Sequence, residues 1–255
     1  MGYERIDGVD LYWEASGAGE PVLLLHGGFC SLESLRSQGD ALAADHRVLA
    51  FERPGHGRSA DIDEDFTYAR GVSDTLAFLD SQNAGPVHVL GYSDGAIIGL
   101  MLALDHPERV RSLIAISANI DPTGFAHSPE AAGFPMLSVL PETEREDLEK
   151  QHYERLSPDG PEHAEAVVEK LLRMWTREPD IPAADLGRIT APTLVVGADR
   201  DHIRVDHSLL IAASIPGAEL AIVPGATHFL VNERPELLRV LIRDFLDRVE
   251  AERPR

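Results

Sequence analysis

The segment GYSDG at residues 91–95 places one serine, Ser93, between two glycines. The residues before it, PVHVLG at 86–91, have the apolar and β-branched character of a buried strand, and those after it repeat apolar side chains at helical spacing. A chain that turns so tightly from strand to helix leaves its corner residue strained, with a side chain that projects beyond the sheet. At the start of a helix, free N–H groups favour negative charge. We therefore predict that Ser93 is a nucleophile.

A serine hydroxyl is an effective nucleophile at neutral pH only beside a base. The chain has 11 histidines, and most of them fall in predicted strands, helix ends, turns or a helical insertion. His228, in the segment VPGATHFLVNERP, follows an apolar run and a Pro–Gly turn. This position places it at the same edge of a parallel sheet as Ser93, and we predict that His228 is the base.

A histidine base needs a carboxylate to fix its tautomer and to stabilise the imidazolium. The segment VVGADRDHIRV offers Asp199 and Asp201 just after a predicted strand. Asp121, which follows another strand, is a less favoured third candidate. One of the first two is expected to orient the base and the other to form a turn, but the residues alone do not separate them.

A tetrahedral intermediate needs two N–H donors aimed at its oxygen. One would be the backbone N–H of Asp94, directly after the nucleophile. The other is expected in the loop that follows LLLHGG, at Phe29 or Gly28, with His26 as a residue that shapes the loop. The side chain of Asp94 is expected to cap its helix rather than to contact a substrate.

Six short apolar runs alternate with helix-like stretches along the chain. The runs lie at 21–27, 47–51, 86–91, 110–117, 192–197 and 218–225, and the helices are predicted at 34–44, 67–81, 94–106, 205–214 and 235–250. Apolar runs without polar alternation suit strands that are buried on both faces of a parallel sheet. Strands that alternate with helices form βαβ units with right-handed crossovers, so the sequence predicts an α/β fold.

One segment interrupts this alternation, because two amphipathic helices are predicted within 141–156 and 160–180 and no strand is predicted until 192. We expect residues 121–187 to form a helical insertion over the carboxyl edge of the sheet. The second helix carries an apolar stripe of Val167, Val168, Leu171, Leu172 and Trp175. Candidates for a pocket beneath the insertion, each with core packing as the alternative use, are Tyr92, Phe125, Phe134, Met136, Trp175 and Phe229.

Five segments resemble, in order, the motifs of the α/β-hydrolase superfamily: LLLHGG at 23–28, ERPGHGRS at 52–59, GYSDGA at 91–96, PTLVVGADRDHI at 192–203 and PGATHF at 224–229. The resemblance is to capped single-domain members and covers nearly the whole chain except the insertion. It departs at Glu52, where many relatives carry aspartate.

The resemblance implies an α/β-hydrolase fold, with a mostly parallel, doubly wound sheet and a small helical cap inserted after the sixth strand. The core would comprise residues 1–120 and 188–255, and the cap residues 121–187. The order serine, acid and histidine along the chain is the one that the superfamily uses. The resemblance also implies that the acid is Asp201 rather than Asp199, because the acid of the family falls on the aspartate that is followed, two residues later, by isoleucine.

The composition limits the classes of molecule that we expect this chain to bind. The net charge of −20 and the lack of an evident basic patch disfavour nucleic acid and anionic membranes. The one cysteine, Cys30, excludes an intrachain disulfide and is expected to pack in the interior. No secretory signal or membrane-length apolar run is visible. We expect a soluble, cytoplasmic monomer or homodimer that acts on a small molecule.

The leading expectation is a serine hydrolase that cleaves an ester, thioester or lactone through an acyl-enzyme, with no metal or organic cofactor. Cleavage of a carbon–carbon bond in a vinylogous diketone, or of an enol-lactone, would use the same three residues, and the fold does not decide between these reactions. A different class of function is also open, namely a ligand-binding receptor that keeps the pocket without the chemistry.

Overall fold

The computed structural model describes residues 1–126 and 146–252. Within this part of the chain, eight strands form one sheet in the order β1-β2-β4-β3-β5-β6-β7-β8. The strands are β1 (Gly2–Ile6), β2 (Val9–Ser16), β3 (Glu20–Leu25), β4 (His46–Phe51), β5 (Val87–Tyr92), β6 (Val110–Ile116), β7 (Thr193–Ala198) and β8 (Glu219–Val223). Strands β3 to β8 pair in parallel, whereas β1 and β2 join the edge antiparallel.

The six predicted apolar runs correspond to β3–β8, so the mostly parallel sheet is confirmed. Strands β1 and β2 lie outside those six runs. Residues along β1 alternate between exposed and more buried positions, as expected where one face of a strand meets solvent.

Helices cover both faces of the sheet. They are α1 (Arg36–Leu42), α2 (Tyr68–Ser81), α3 (Asp94–Asp105), α4 (Glu146–Leu156), α5 (Ala164–Trp175), α6 (Val205–Ser214), α7 (Leu230–Glu233) and α8 (Pro235–Ala251). Alternate residues of one strand belong to different core clusters: Leu23 and Leu25 pack with α2 and α3, whereas Val22 and Leu24 pack with α1 and α8. The sheet is therefore doubly wound, and none of the described helices is long and apolar enough to cross a membrane.

Helices α4 and α5 lie between β6 and β7, and thus after the sixth strand, where two amphipathic helices were predicted. The division into a core at 1–120 and 188–255 and a cap at 121–187 stays a prediction. Two of the candidate pocket residues, Phe134 and Met136, lie outside the described residues.

The apolar stripe predicted on α5 is divided between two environments. Val167 and Leu171 are buried in the core cluster that contains α3, together with Met174, which the predicted stripe did not include. The other stripe residues, Val168, Leu172 and Trp175, border a cavity instead, and Leu172 is 52% exposed. One helix face therefore packs on the core while the adjacent face is left for the cavity.

Candidate active site

Ser93 forms the corner between β5 and α3, with φ 52° and ψ −119°. Residues other than glycine rarely adopt a positive φ. Here the backbone is held in place because the Ser93 N–H donates to the Ile116 carbonyl at 2.8 Å. A Cβ added at Gly91 would collide with the carbonyl oxygen of Gly95, and one added at Gly95 would collide with that of Leu25. The two glycines therefore allow β5, α3 and the end of β3 to approach closely.

The structure brings together the three residues predicted for nucleophilic catalysis. His228 Nε2 lies 3.0 Å from Ser93 Oγ, and His228 Nδ1 lies 2.8 Å from Asp201 Oδ1. Ser93 directly follows β5, Asp201 lies in the loop after β7, and His228 lies in the loop after β8. All three reach one carboxyl edge because these strands are parallel.

The other two candidate acids have different hydrogen-bond partners. Asp199 Oδ1 accepts the N–H of Ala226 at 3.2 Å, which braces the loop after β8. Asp121 Oδ1 accepts the N–H of Thr123 at 2.8 Å at the start of a short 3₁₀ helix. The geometry thus separates Asp201 from both alternatives.

Asp201 is buried, and its carboxylate accepts further hydrogen bonds. Ser117 Oγ donates to Oδ2 at 2.5 Å, and the N–H of Ile203 donates to Oδ1 at 2.9 Å. Burial alone raises the pKa of the carboxyl, but the charge and hydrogen bond of His228, with smaller contributions from His202 and Ile203, hold the pKa below its ordinary value. Asp201 is therefore ionised at neutral pH. Sequence reasoning missed Ser117, although it is the last residue of the predicted run at 110–117 and directly follows β6 at the same edge.

His228 is held from two sides. The Tyr92 hydroxyl donates to the carbonyl oxygen of His228 at 3.0 Å. The ring of His202 stacks on the His228 ring, with centroids 3.8 Å apart and planes inclined by 26°. Tyr92, a predicted pocket residue, borders the cavity but uses its polar atom to fix the histidine backbone. Sequence reasoning missed His202, whose position next to Asp201 is the one signal that could have indicated it.

Asp201, His202 and His228 also form a cluster whose candidate metal-binding atoms lie within 4.8 Å of one another. The lone pairs of stacked imidazoles lie in nearly parallel planes and do not converge on one point. In addition, Asp201 Oδ1 already pairs with the ring of His228. The arrangement fits proton transfer better than metal coordination.

The loop after β3 is fixed by Arg53. Its guanidinium donates to the carbonyl oxygens of His26 and Gly27 at 2.7 and 2.9 Å, and its backbone N–H donates to His26 Nε2 at 3.1 Å. A Cβ added at Gly27 would lie 3.3 Å from the Cβ of Ser93, so the loop directly adjoins the nucleophile. His26 thus shapes the loop as predicted, and the segments 23–28 and 52–59 act together.

The backbone N–H groups of Gly28, Phe29 and Asp94 donate to no acceptor within residues 1–126 and 146–252. Phe29 has a φ of 55°, which turns the chain at this point. The predicted oxyanion hole requires N–H groups without an internal acceptor such as these. The choice between Phe29 and Gly28 as the second donor stays a prediction.

His56 contacts this loop, since its ring centroid lies 5.1 Å from that of His26. The pKa of this buried histidine can be tested by experiment. Its Nδ1–H donates to the Pro54 carbonyl at 2.8 Å, and burial together with the charge of Arg53 lowers its pKa to about 3. In the unfolded chain the ordinary pKa is 6.5, so unfolding takes up a proton between these values and stability falls as the pH is lowered through this window.

Near pH 5, we expect the free energy of unfolding to fall by about 1.4 kcal/mol less per pH unit of acidification in His56→Gln than in the unsubstituted protein. Urea unfolding of both proteins between pH 4.5 and 7.5 measures the two pH dependences. The contributions of the other titratable groups are the same in both proteins and cancel in the difference. Equal slopes for the two proteins would show that His56 is protonated in the fold.

The side chain of Asp94 does not cap its helix, contrary to the prediction. Its Oδ1 accepts the Tyr68 hydroxyl at 2.8 Å and Trp175 Nε1 at 2.9 Å. Burial raises the pKa of this carboxyl, against the lowering effect of the nearby Arg53 charge. Both donors reach Oδ1, and the buried Oδ2 accepts no hydrogen bond from the described residues. The contact ties α5 to the residue after the nucleophile, and sequence reasoning missed Tyr68.

A cavity of about 890 Å³ lies over Ser93, which is within the size range of small-molecule sites. The predicted pocket residues Phe125, Trp175 and Phe229 border it with Ser93 and His228. Cys30 also borders it, but burial raises the pKa of its thiol well above the ordinary value, so the thiol stays protonated as expected for a packing residue. On the side of α4 and α5, the cavity is bordered by Glu149, Glu154, Glu162, Glu165 and Glu169.

Comparison with known proteins gives consistent matches. A model described as the alpha/beta hydrolase family matches residues 22–239. A relative from Variovorax paradoxus, provisionally named carbamate hydrolase RutD, is 33% identical over 263 residues, covering 94% of this chain and 97% of that protein. Rhodomycin D methylesterase DnrP from Streptomyces peucetius is 29% identical over 269 residues, covering 88% and 90%. The solved structure of Est816, described as an N-acyl homoserine lactone degrading enzyme, matches with a TM-score of 0.78 and 26% identity, covering 95% and 99%.

Proposed function

Because the chain belongs to the alpha/beta hydrolase family, we propose that it is a serine hydrolase that cleaves an ester, thioester or lactone of a small molecule. The observation that carries this proposal is the continuous hydrogen-bonded series from Ser93 Oγ through the His228 ring to Asp201. The names of the relatives support acyl-bond hydrolysis, since a carbamate, a methyl ester and a lactone are all cleaved beside a carbonyl carbon.

In the proposed mechanism, Ser93 Oγ attacks the carbonyl carbon as His228 Nε2 takes the hydroxyl proton. Asp201 holds the Nδ1–H of His228 and stabilises the imidazolium. The oxyanion accepts hydrogen bonds from the N–H of Asp94 and from that of Phe29 or Gly28. His228 then gives its proton to the leaving group, which departs and leaves an acyl-enzyme on Ser93.

The second half of the reaction reverses these roles. Water enters, His228 takes one of its protons, and the hydroxide oxygen attacks the acyl carbon. Collapse of the second intermediate returns the proton to Ser93 and releases the acid. Each oxyanion-hole hydrogen bond contributes on the order of 3 kcal/mol to such a transition state.

The experiment that tests this proposal is intact-mass spectrometry after treatment with a small fluorophosphonate, followed by peptide mapping. We expect one adduct, on Ser93, and a strongly slowed reaction in His228→Ala, because only an activated serine attacks this probe rapidly. A folded protein that forms no adduct, or forms it elsewhere, would contradict the proposal and favour the receptor alternative.

Cleavage of a carbon–carbon bond would use the same nucleophile and base, so the adduct does not distinguish it. Product analysis with a ring-cleavage diketone beside simple esters, thioesters and lactones makes this distinction. We expect turnover of the esters and lactones and little or none of the diketone.

A further inference from the structure

Glu149, on α4, has a buried carboxylate that lies within ion-pair range of His152 but makes no hydrogen bond with the described residues. The residue is 4% exposed, and neither carboxylate oxygen accepts a hydrogen bond from the described residues. His152 Nδ1 lies 3.6 Å from Oε2, which is too long for a hydrogen bond. Because a buried carboxylate without donors is costly, proteins usually pair such a group. Glu149 is therefore a candidate for a group whose partner is a ligand.

The carboxylate lies beside the site rather than in a remote part of the fold. Tyr153, one helical turn after Glu149, stacks on Phe29 with ring centroids 5.2 Å apart and planes inclined by 15°. After burial itself, the charge of Glu149 is the next largest cause of the raised pKa of the Cys30 thiol. Glu149, Phe29 and Cys30 all border the cavity above Ser93. A substrate held at Ser93 is thus within reach of this carboxylate.

The rest of this side of the cavity has the same sign of charge. Four exposed glutamates border it on α4, α5 and the turn between them, and Lys150 is the single lysine or arginine among its described bordering residues. Exposed glutamates are ordinary on a chain of net charge −20, but a concave surface concentrates their field and attracts cations. Trp175, Phe125 and Phe229 also border the cavity, and the faces of such aromatic rings favour a cation as well.

We propose that the substrate carries a cationic nitrogen, as an ammonium or quaternary ammonium group remote from the scissile carbonyl, and that Glu149 is its carboxylate partner. This inference rests on the proposed function and names the substrate class of the same site. The cation can lie on the acyl side or on the alcohol side of the ester. In either case, the ion pair that the substrate cation forms with Glu149 offsets the cost of burying this carboxylate.

The test uses pairs of esters that differ only in charge. On the alcohol side, butyrylcholine, the butyric ester of choline, is compared with 3,3-dimethylbutyl butyrate. On the acyl side, ethyl 4-(trimethylammonio)butanoate is compared with ethyl 5,5-dimethylhexanoate. We expect the protein to prefer the cationic member of at least one pair by about tenfold or more in kcat/KM, and Glu149→Gln to lower that ratio by about tenfold.

Glu236→Gln is the matched control, since it removes the same charge from an exposed side chain on α8 that does not border the cavity. Its ratio of cationic to neutral turnover is expected to equal that of the unsubstituted protein. Neutral esters that are hydrolysed with no preference for either cationic partner would overturn this inference and leave the proposed function intact.

Binding gives a readout that does not depend on turnover. Benzyltrimethylammonium is titrated by calorimetry into the folded protein, Glu149→Gln and Glu236→Gln. We expect a Kd that rises about tenfold in Glu149→Gln alone. If Ser93 forms no fluorophosphonate adduct, the proposed function fails, and this titration still decides whether the cation site exists. Equal affinities in all three proteins would contradict the role of Glu149.

Discussion

Ser93→Ala is expected to lower kcat/KM for an activated ester by about four orders of magnitude or more. The change removes the only atom that forms the acyl-enzyme, while the N–H donors of the predicted oxyanion hole and the cavity remain. Hydrolysis of p-nitrophenyl butyrate, with each protein purified in parallel, measures the loss. Residual activity would come from binding and from electrostatic stabilisation alone.

The fold is expected to survive this substitution. Alanine takes the same positive φ at residue 93 with a steric requirement close to that of serine, and the lost hydrogen bond to His228 contributes about 1 kcal/mol. Circular dichroism and urea unfolding provide the control. A well-folded variant that retains activity within tenfold would rule out Ser93 as the nucleophile.

Asp201→Asn is expected to lower kcat by about 10³- to 10⁴-fold, and Asp199→Asn by less than about tenfold. An amide at position 201 can donate to Nδ1 of His228, which would place the proton on Nε2 and prevent that atom from accepting the proton of Ser93. Asparagine at position 199 keeps an oxygen that can accept the N–H of Ala226. The two variants therefore make the same chemical change in neighbouring residues with different expected results.

Steady-state hydrolysis of one ester by both variants makes this comparison, with unfolding curves to exclude a loss of structure. A larger effect of Asp199→Asn would reverse the assignment of the acid. A comparable, large effect of both would indicate that the loop after β7 is displaced in either variant, and the fluorophosphonate reaction of Ser93 would then report its alignment with His228.

The elements that carry the site can be predicted from local sequence patterns. Strands β3–β7 can be predicted because they are largely buried on both faces and therefore lack polar alternation, whereas the edge strand β8 is only partly buried. The corner at Ser93 is readable because only glycines fit where β5, α3 and β3 approach. Parallel strands end at one edge, so a nucleophile and a base could be placed together from their positions alone. Selection of Asp201 over Asp199 needed the family resemblance.

The contacts between side chains that are distant in the sequence could not be predicted in this way. The apolar period of α5 predicts a buried face, but it does not indicate that this face is shared between the core and a cavity. The local sequence predicts that Asp94 caps its helix. Its hydrogen-bond partners, Tyr68 and Trp175, are 26 and 81 residues away and therefore do not belong to any local pattern. The partners of Asp201 and the burial of the Glu149 carboxylate, which accepts no hydrogen bond from the described residues, are likewise set by packing between separate segments. Local sequence patterns encode the period and the turn chemistry of a segment, whereas these contacts depend on how whole elements are placed against one another.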